Sequence, residues 1–201
     1  MRFHKAFIWP HFVLFPLPKV ACSSVQSAVQ ESQARGVAHE GYSLKMVGNI
    51  TDEDVCGKKC YTMVRNPYDR LVSLYMNKIV KGKEMDKEHP LEYYNLHVGM
   101  NFGDMVRAIC DIPDEEADRH FKQQSALLSP NGKMLATHSW HFDQIGDFWK
   151  AVQKEVDVPD LAHKNRSDNR KAYKKHYTLE TRRLVEERYK DDLEIFRFDF
   201  G

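Results

Sequence analysis

The sequence predicts an α/β fold with a short parallel sheet and a mostly helical C-terminal half. In the N-terminal third, two apolar runs each lead through a short loop into a segment whose apolar residues have helical spacing. This is the order expected of strand, loop and helix. Residues 144–156 and 179–189 also have a helical pattern. Strands that alternate with helices pair in parallel, so a ligand is expected at their carboxyl ends.

The first strand is predicted over residues 11–17, with the preceding residues as its lead-in. This run is rich in Phe, Val and Leu, and two prolines end it. Ser23 and Ser24 stand ahead of Val25, where their hydroxyls are predicted to cap the following helix. Lys19 lies in the loop. An anion there would meet the amides of the helix start, two hydroxyls and an ammonium group.

The second strand is predicted over residues 60–64, and Arg65 stands at its end. Pro67 fits the first position of the next helix, because the N–H that proline lacks is not needed there. Ser73 lies on a face of this helix that can point back toward the strand end. A guanidinium fork with a hydroxyl suits a phosphate monoester. The two segments together predict a nucleotide site with two anionic ends.

Other ligand classes have less support in the sequence. The ATP- and GTP-binding motif G-x-x-x-x-G-K-[ST] does not occur, so an ATP-dependent, kinase-like P-loop enzyme is kept only as an alternative. The formal net charge of +1 implies no surface for nucleic acid or another polyanion.

The two segments also carry a resemblance to a known family. The strings P-K-V-A-C-S-S-V at residues 18–25 and V-R-N-P-Y-D-R-L-V-S-L-Y at residues 64–75 resemble the carbohydrate sulfotransferases of the Golgi chondroitin and HNK-1 type, sulfotransferase family 2. The resemblance implies that Arg65 and Ser73 hold the 3′-phosphate of 3′-phosphoadenosine-5′-phosphosulfate (PAPS). It implies that the 5′-phosphosulfate is held by Lys19, Val20, Ala21, Cys22, Ser23, Ser24 and Val25.

Further stretches extend the resemblance, and residues 189–200 resemble the family's closing pattern Y-x-x-D-x-x-x-F. Residues 120–124 resemble the family segment H-W-x-P-Q, residues 145–148 resemble I-G-x-F, and residues 163–167 resemble H-x-N-x-S. The last of these implies further nucleotide contacts from Asn165, Arg166 and Ser167. Two positions depart from the family pattern: Gln123 replaces the usual proline, and Trp149 stands where a glutamate is usual. The second departure leaves open a non-catalytic, nucleotide-binding relative as another alternative.

The resemblance covers residues 12–200 and implies a P-loop NTPase-like three-layer fold. It also implies a single catalytic domain over residues 1–201, with an acceptor-side insertion at roughly residues 81–100. Aromatic and polar residues of this insertion could line a sugar site, or the segment could simply pack as a loop. The implied activity is transfer of a sulfuryl group from PAPS to a hydroxyl of a carbohydrate or glycan-like acceptor, with 3′-phosphoadenosine-5′-phosphate (PAP) as the product.

Sulfuryl transfer needs an in-line acceptor oxygen and a stabilised leaving phosphate. Lys19 is predicted to neutralise charge on the bridging oxygen, so no metal is required. The acceptor hydroxyl needs a base, and histidine suits neutral pH. His120 is the predicted base, because it follows an acidic turn that could orient its ring, and His39 beside Glu40 is its rival. A purely structural role for His120 is the alternative.

The N-terminus contains no stretch that approaches the length of a membrane span. The four cysteines are predicted to be free thiols, although Cys56 and Cys60 could form a disulfide or half of a zinc site. Free thiols agree with a cytoplasmic location. Golgi members of the resembled family have a membrane anchor and a stem, so the resemblance implies a short, bacterial-type member here. The Golgi lumen is expected instead if the sequence is a truncated form of a Golgi enzyme.

Overall fold

The computed structural model describes residues 5–35, 41–85, 89–161 and 172–201. In these ranges the chain forms an α/β fold with five strands and eight α-helices. The strands are β1 (Lys5–Ile8), β2 (Phe12–Phe15), β3 (Ser43–Met46), β4 (Lys59–Val64) and β5 (His138–His141). The helices are α1 (Cys22–Ala34), α2 (Asp52–Val55), α3 (Pro67–Leu74), α4 (Phe102–Asp111), α5 (Gln124–Leu128), α6 (Ile145–Glu155), α7 (Leu179–Arg188) and α8 (Lys190–Ile195).

The chain divides into two compact units. The first comprises Met1–Arg65 and Gln124–Asp168, and the second comprises Asn66–Gln123 and Asn169–Gly201. The single catalytic domain with an acceptor-side insertion stays a prediction.

The first unit is built on one five-stranded sheet with the strand order β3-β1-β2-β4-β5. β2 pairs in parallel with β4, and β4 pairs in parallel with β5, whereas β1 is antiparallel to both of its neighbours. The predicted parallel pairing of the two N-terminal strands is therefore confirmed. Phe15, the last residue of β2, pairs with Thr62 near the end of β4. The carboxyl ends of these two strands therefore lie next to each other at the same end of the sheet.

The N-terminal segment differs from the prediction of a single strand over residues 11–17. It forms a hairpin of β1 and β2, in which the Trp9 N–H donates to the Phe12 carbonyl at 2.8 Å. Pro10 lies in the turn, because a proline cannot donate a hydrogen bond to a ladder and interrupts a strand. β3 and β5 were also not predicted, since their residues are only half-buried or exposed and form no apolar run.

The burial of the two central strands explains why their apolar runs predicted them correctly. Every residue of β2 is buried, and β4 is buried from Cys60 onward, as expected of parallel strands covered on both faces. Thr62 is the polar exception in the middle of β4. It is fully buried, and its hydroxyl donates to the Phe15 carbonyl at 2.9 Å.

The second unit is helical in its described residues. α3 begins at Pro67 as predicted, and the Asn66 side chain caps it by accepting the Tyr68 N–H at 3.1 Å. The helix continues directly into a π-helical turn over Tyr75–Val80. Residues 68–121 and the last helices share one apolar core. Its members on α4 are Phe102, Met105, Val106 and Ile109.

Two further predictions bear on the helices and the cysteines. The helical patterns at residues 144–156 and 179–189 correspond to α6 and α7. Within the described ranges, no helix combines the length and apolarity needed to cross a membrane. All four cysteines lie in described ranges and are thiols. Burial raises the pKa of Cys60 to about 11 and that of Cys110 to about 12.

Candidate active site

The loop between β2 and α1 has an unusual backbone. The Leu17 carbonyl accepts the Val20 N–H at 3.2 Å, which closes a turn with Pro18 and Lys19 at its centre. Lys19 has φ 67° and Ala21 has φ 52°. A left-handed conformation costs a non-glycine residue about 1–2 kcal/mol. Such residues persist where the surrounding structure holds them, and they concentrate at functional sites.

The start of α1 differs from its prediction. The N-cap is Ala21, and no side chain caps the helix. Ser23 and Ser24 lie inside the first turn instead, so their predicted capping role is wrong. The left-handed Ala21 starts the helix early, and its carbonyl accepts the N–H groups of Ser24 and Val25. A helix start without a side-chain acceptor from its cap is suited to an anion, which can take that place.

Arg65 extends from the end of β4 to this loop. Its Nη1 donates to the Lys19 carbonyl at 3.0 Å. The face of its guanidinium lies over the Phe142 ring, with Cζ 4.6 Å from the ring centroid. The structure therefore brings together Lys19 and Arg65, which the sequence placed at two ends of a nucleotide. A guanidinium has five N–H donors, so contact with the loop is compatible with binding a second acceptor.

Gln124 is a further residue of this site, and sequence reasoning gave it no role. Its carboxamide pairs with the main chain of Arg65 in both directions: Oε1 accepts the Arg65 N–H at 2.9 Å, and Nε2 donates to the Arg65 carbonyl at 2.8 Å. The side chain is fully buried. The signal available was its place at the end of the H-F-K-Q-Q segment. The partner, however, lies 59 positions away, beyond the reach of local patterns.

The remaining predicted nucleotide residues fall into two groups. Ser73 is half-buried on α3 and belongs to the second unit, whereas Arg65 belongs to the first. Their shared role toward one phosphate stays a prediction. The rival base His39 and the predicted nucleotide contacts Asn165, Arg166 and Ser167 lie outside the described residues.

His120 lies in a loop of the second unit and is oriented by Asp118. Its Nδ1 is 2.6 Å from Asp118 Oδ1, and the same oxygen accepts the His120 backbone N–H at 2.8 Å. The acidic turn thus orients the ring, as the sequence suggested. Both side chains are nearly buried, with 13% and 9% of their surfaces exposed.

Burial lowers the pKa of His120 below its ordinary value, and this outweighs the opposing effect of Asp118. Burial alone would raise the pKa of Asp118, but the hydrogen bonds and charge of His120 outweigh it, so that pKa is lowered. At neutral pH the pair is therefore a carboxylate beside a neutral imidazole. Because Nδ1 donates to the carboxylate, Nε2 is the basic nitrogen.

Arg70 fastens the loop that carries His120. It is 1% exposed, and its guanidinium donates to the carbonyls of Lys122 at 2.7 Å and Arg119 at 2.9 Å. The Tyr189 hydroxyl donates to the Phe121 carbonyl between them. Arg70 therefore orders the loop from within the core of the second unit.

Packing accounts for the two departures from the family pattern. The Gln123 N–H donates to Asp114 Oδ1 at 3.0 Å, a hydrogen bond that a proline could not make. Trp149 is 4% exposed on α6, and its Nε1 donates to the Pro159 carbonyl at 2.9 Å. Trp149 is thus a core residue that fastens the segment after α6.

Comparison with known proteins identifies the family. The family model described as the sulfotransferase family (Sulfotransfer_2) matches residues 11–199, which include the Lys19 loop, Arg65 and His120. No curated protein and no solved structure matches the chain. The match spans nearly the whole sequence, and it agrees with the strained loop at the start of α1. The chain belongs to the sulfotransferase family, whose chemistry is sulfuryl transfer.

Proposed function

We propose that this protein transfers the sulfuryl group of PAPS to a hydroxyl of a carbohydrate or glycan-like acceptor and releases PAP. The observation that carries the proposal is the left-handed Lys19 turn ahead of α1, held by Arg65, in a chain of the sulfotransferase family. We also propose that β2, this loop and α1 form a P-loop NTPase-like unit of a three-layer fold. The parallel pairing of β2 with β4 supports this arrangement.

The residues present fit the donor nucleotide. The start of α1 has no side-chain cap, so its first turn offers backbone amides and the positive end of the helix dipole to an anion. Lys19 adds an ammonium group, and Ser23 is exposed in the same turn. These groups suit the 5′-phosphosulfate. By the resemblance, Arg65 and Ser73 would hold the 3′-phosphate.

When bound, PAPS supplies a sulfuryl group attached to a phosphate leaving group. Lys19 would neutralise the charge that develops on the phosphate oxygen, and the loop amides would stabilise charge beside it. His120 would accept the proton of the acceptor hydroxyl at Nε2, because Nδ1 is engaged by Asp118. The Asp118 carboxylate would then stabilise the imidazolium.

A small, half-open depression in the second unit is the candidate position for the acceptor. It has a volume of about 210 Å³, and its lining residue Tyr93 is 63% exposed. The lining residues are Tyr93, Tyr94, Asn95, Ile112 and Glu116. Aromatic faces beside a few polar groups are typical of small-molecule sites. The Tyr94 ring packs against Phe121, the neighbour of His120, at a centroid distance of 5.1 Å.

The two alternative functions have weaker support. The family match favours sulfuryl transfer over the phosphoryl transfer of an ATP-dependent kinase. Trp149, which left the non-catalytic alternative open, is accounted for by its packing and its hydrogen bond to Pro159.

Calorimetric titration with PAP, 5′-AMP, ADP and ATP without metal tests donor binding. We expect micromolar affinity for PAP and much weaker binding of 5′-AMP. A protein that does not distinguish these two ligands would contradict the 3′-phosphate site. Acceptors can then be screened with PAPS and a panel of oligosaccharides.

Substitution tests catalysis. Lys19→Ala and Arg65→Ala are expected to abolish PAP release, because each removes a cation from the donor loop or its support. The matched controls are Lys154→Ala and Arg183→Ala, which change exposed residues of α6 and α7 and should leave turnover unchanged. Full activity in both loop variants would overturn the proposal.

A further inference from the structure

Gln124 continues the pairing of β4 by one residue. The ladder between β4 and β5 ends at Val64 and His141, and the ladder between β2 and β4 ends at Phe15 and Thr62. Arg65 is the first residue beyond both ladders. The buried Gln124 carboxamide accepts its N–H and donates to its carbonyl, as a neighbouring strand would. Both peptide groups of Arg65 are therefore fixed by one side chain.

This pairing fixes the main chain of Arg65, and two other contacts fix the position of its guanidinium. The guanidinium lies over Phe142, with Cζ 4.6 Å from the ring centroid, and its Nη1 donates to the Lys19 carbonyl at 3.0 Å. Arginine has many rotamers, and each fixed point removes some of them. The carbonyl that accepts this bond belongs to a residue with φ 67°.

We infer that Gln124 is a positioning residue, which orients Arg65 so that Arg65 holds the Lys19 turn in its left-handed conformation. Gln124 acts on the main chain of Arg65, not on the donor nucleotide. Arg65 thereby acts on the 5′ end of the nucleotide site through the loop, in addition to its proposed contact with the 3′-phosphate. The inference deepens the proposed function, but its first test requires no nucleotide.

Hydrogen exchange of the nucleotide-free protein reports directly on the turn. The Val20 N–H, which donates to the Leu17 carbonyl, is the probe. In Gln124→Leu, which removes both hydrogen bonds to Arg65, this amide should exchange at least about tenfold faster, since local opening of the turn becomes easier. Unchanged exchange in a folded variant would overturn the inference.

A matched control is available in the same unit. Gln153 also uses its Nε2 as a donor, to the Val158 carbonyl at 3.2 Å and to Asp160 Oδ1 at 3.0 Å. Gln153→Leu loses these bonds without touching Arg65, so the Val20 amide should exchange as in the parent protein. An equal acceleration in this control would indicate general loosening and would contradict a specific role for Gln124.

Two further variants keep the test decisive if Gln124→Leu does not fold. Gln124→Glu retains the acceptor for the Arg65 N–H but places a second carboxylate oxygen, in a buried position, where the donor to the Arg65 carbonyl was, so its effect should be at least as large as that of leucine. Phe142→Leu removes the ring under the guanidinium from a half-buried position and leaves the Gln124 pairing intact. Both should accelerate exchange at Val20, and no change in either would overturn the inference.

Nucleotide binding then separates loop support from phosphate contact. In Gln124→Leu we expect weaker binding of 5′-AMP as well as PAP. The affinity should fall by about tenfold or more, which is the usual loss when a residue that orients a binding group is removed, as measured at metal sites. A loss confined to ligands with a 3′-phosphate would overturn the role toward the loop. If the parent protein binds none of these nucleotides, the proposed function fails, while the exchange result on the turn still stands by itself.

Discussion

Two loops of this protein carry the predicted functional residues, and they are held in different ways. The loop after β2 in the first unit has a strained backbone, with Lys19 and Ala21 in left-handed conformations and one guanidinium bound to a carbonyl. The loop over residues 118–123 in the second unit is held by buried side chains. Arg70 alone donates to two of its carbonyls.

The difference follows from what each loop is expected to do. A loop that binds an anion must present backbone amides and a cation, so its shape resides in its dihedral angles. A general base needs one ring orientation and a suitable pKa, and only fixed neighbours provide these. The first loop should therefore respond to changes in backbone freedom, and the second to the loss of buried polar partners.

The largest effect on stability is expected in the second loop, from Arg70→Met. Methionine fills similar space but leaves the carbonyls of Arg119 and Lys122 without their buried donor. The free energy of unfolding should fall by about 2–5 kcal/mol, because each of the two buried carbonyls left without a donor costs about 1–3 kcal/mol. Urea denaturation followed by circular dichroism measures it.

Arg183→Met on the exposed face of α7 is the control and should leave the urea midpoint unchanged. Arg70 would not be a structural centre of its loop if both variants unfolded at the same urea concentration.

A smaller, pH-dependent effect is expected from Asp118→Asn. Because burial lowers the pKa of His120, the acid limb of the pH profile of kcat/KM should lie below the ordinary histidine value of 6.5. Asp118 opposes this shift, so its replacement should move the limb to still lower pH. The maximal rate should fall by about 100-fold, within the range for general base catalysis, as the imidazolium loses its carboxylate.

The same depressed pKa has a consequence for stability. Below pH 6.5 the unfolded chain binds the His120 proton more readily than the folded one, so stability should decrease as pH falls. Asp191→Asn, at an exposed position on α8, is the control for both measurements. If the acid limb moved to higher pH in Asp118→Asn, the Asp118 carboxylate would not be raising the pKa of His120, and its proposed role beside the base would be wrong.

Local patterns predicted the parts of the fold that are buried along one element. β2, β4 and α4 were predicted from the sequence because their apolar residues are buried in a core and form an apolar run in the strands and a helical repeat in α4. β3 and β5 were not, since half-exposed strands of four residues lack such a signal.

The candidate site shows the same limit. Lys19 and Arg65 could be located because each follows a predicted strand. Gln124 and Arg70 could not, since their roles rest on contacts 59 and about 50 positions away along the chain. The prediction that Ser23 and Ser24 cap α1 was wrong, because it used only the preference of serine for the N-cap position. The left-handed Ala21 occupies that position instead.

The smallest expected effect tests the strain of the first loop. Ala21→Gly places glycine where φ is 52° and at an N-cap, and both conditions favour glycine over alanine. Greater freedom of the unfolded chain offsets part of the gain, so the free energy of unfolding should rise by about 0.5 kcal/mol. Ala34→Gly, at the exposed last residue of the same helix, should instead lower it by a few tenths of a kcal/mol, because the frayed last turn bears only part of the cost that glycine has in a helix interior.

PAP affinity distinguishes strain from function in this pair. A glycine at position 21 lets the loop sample other conformations, so PAP should bind a few-fold more weakly to the more stable variant, by the logic of preorganisation. Ala34→Gly should bind PAP normally despite its lower stability. If Ala21→Gly were destabilised as much as Ala34→Gly, the left-handed residue would store no strain, and the contrast between the two loops would lose its basis.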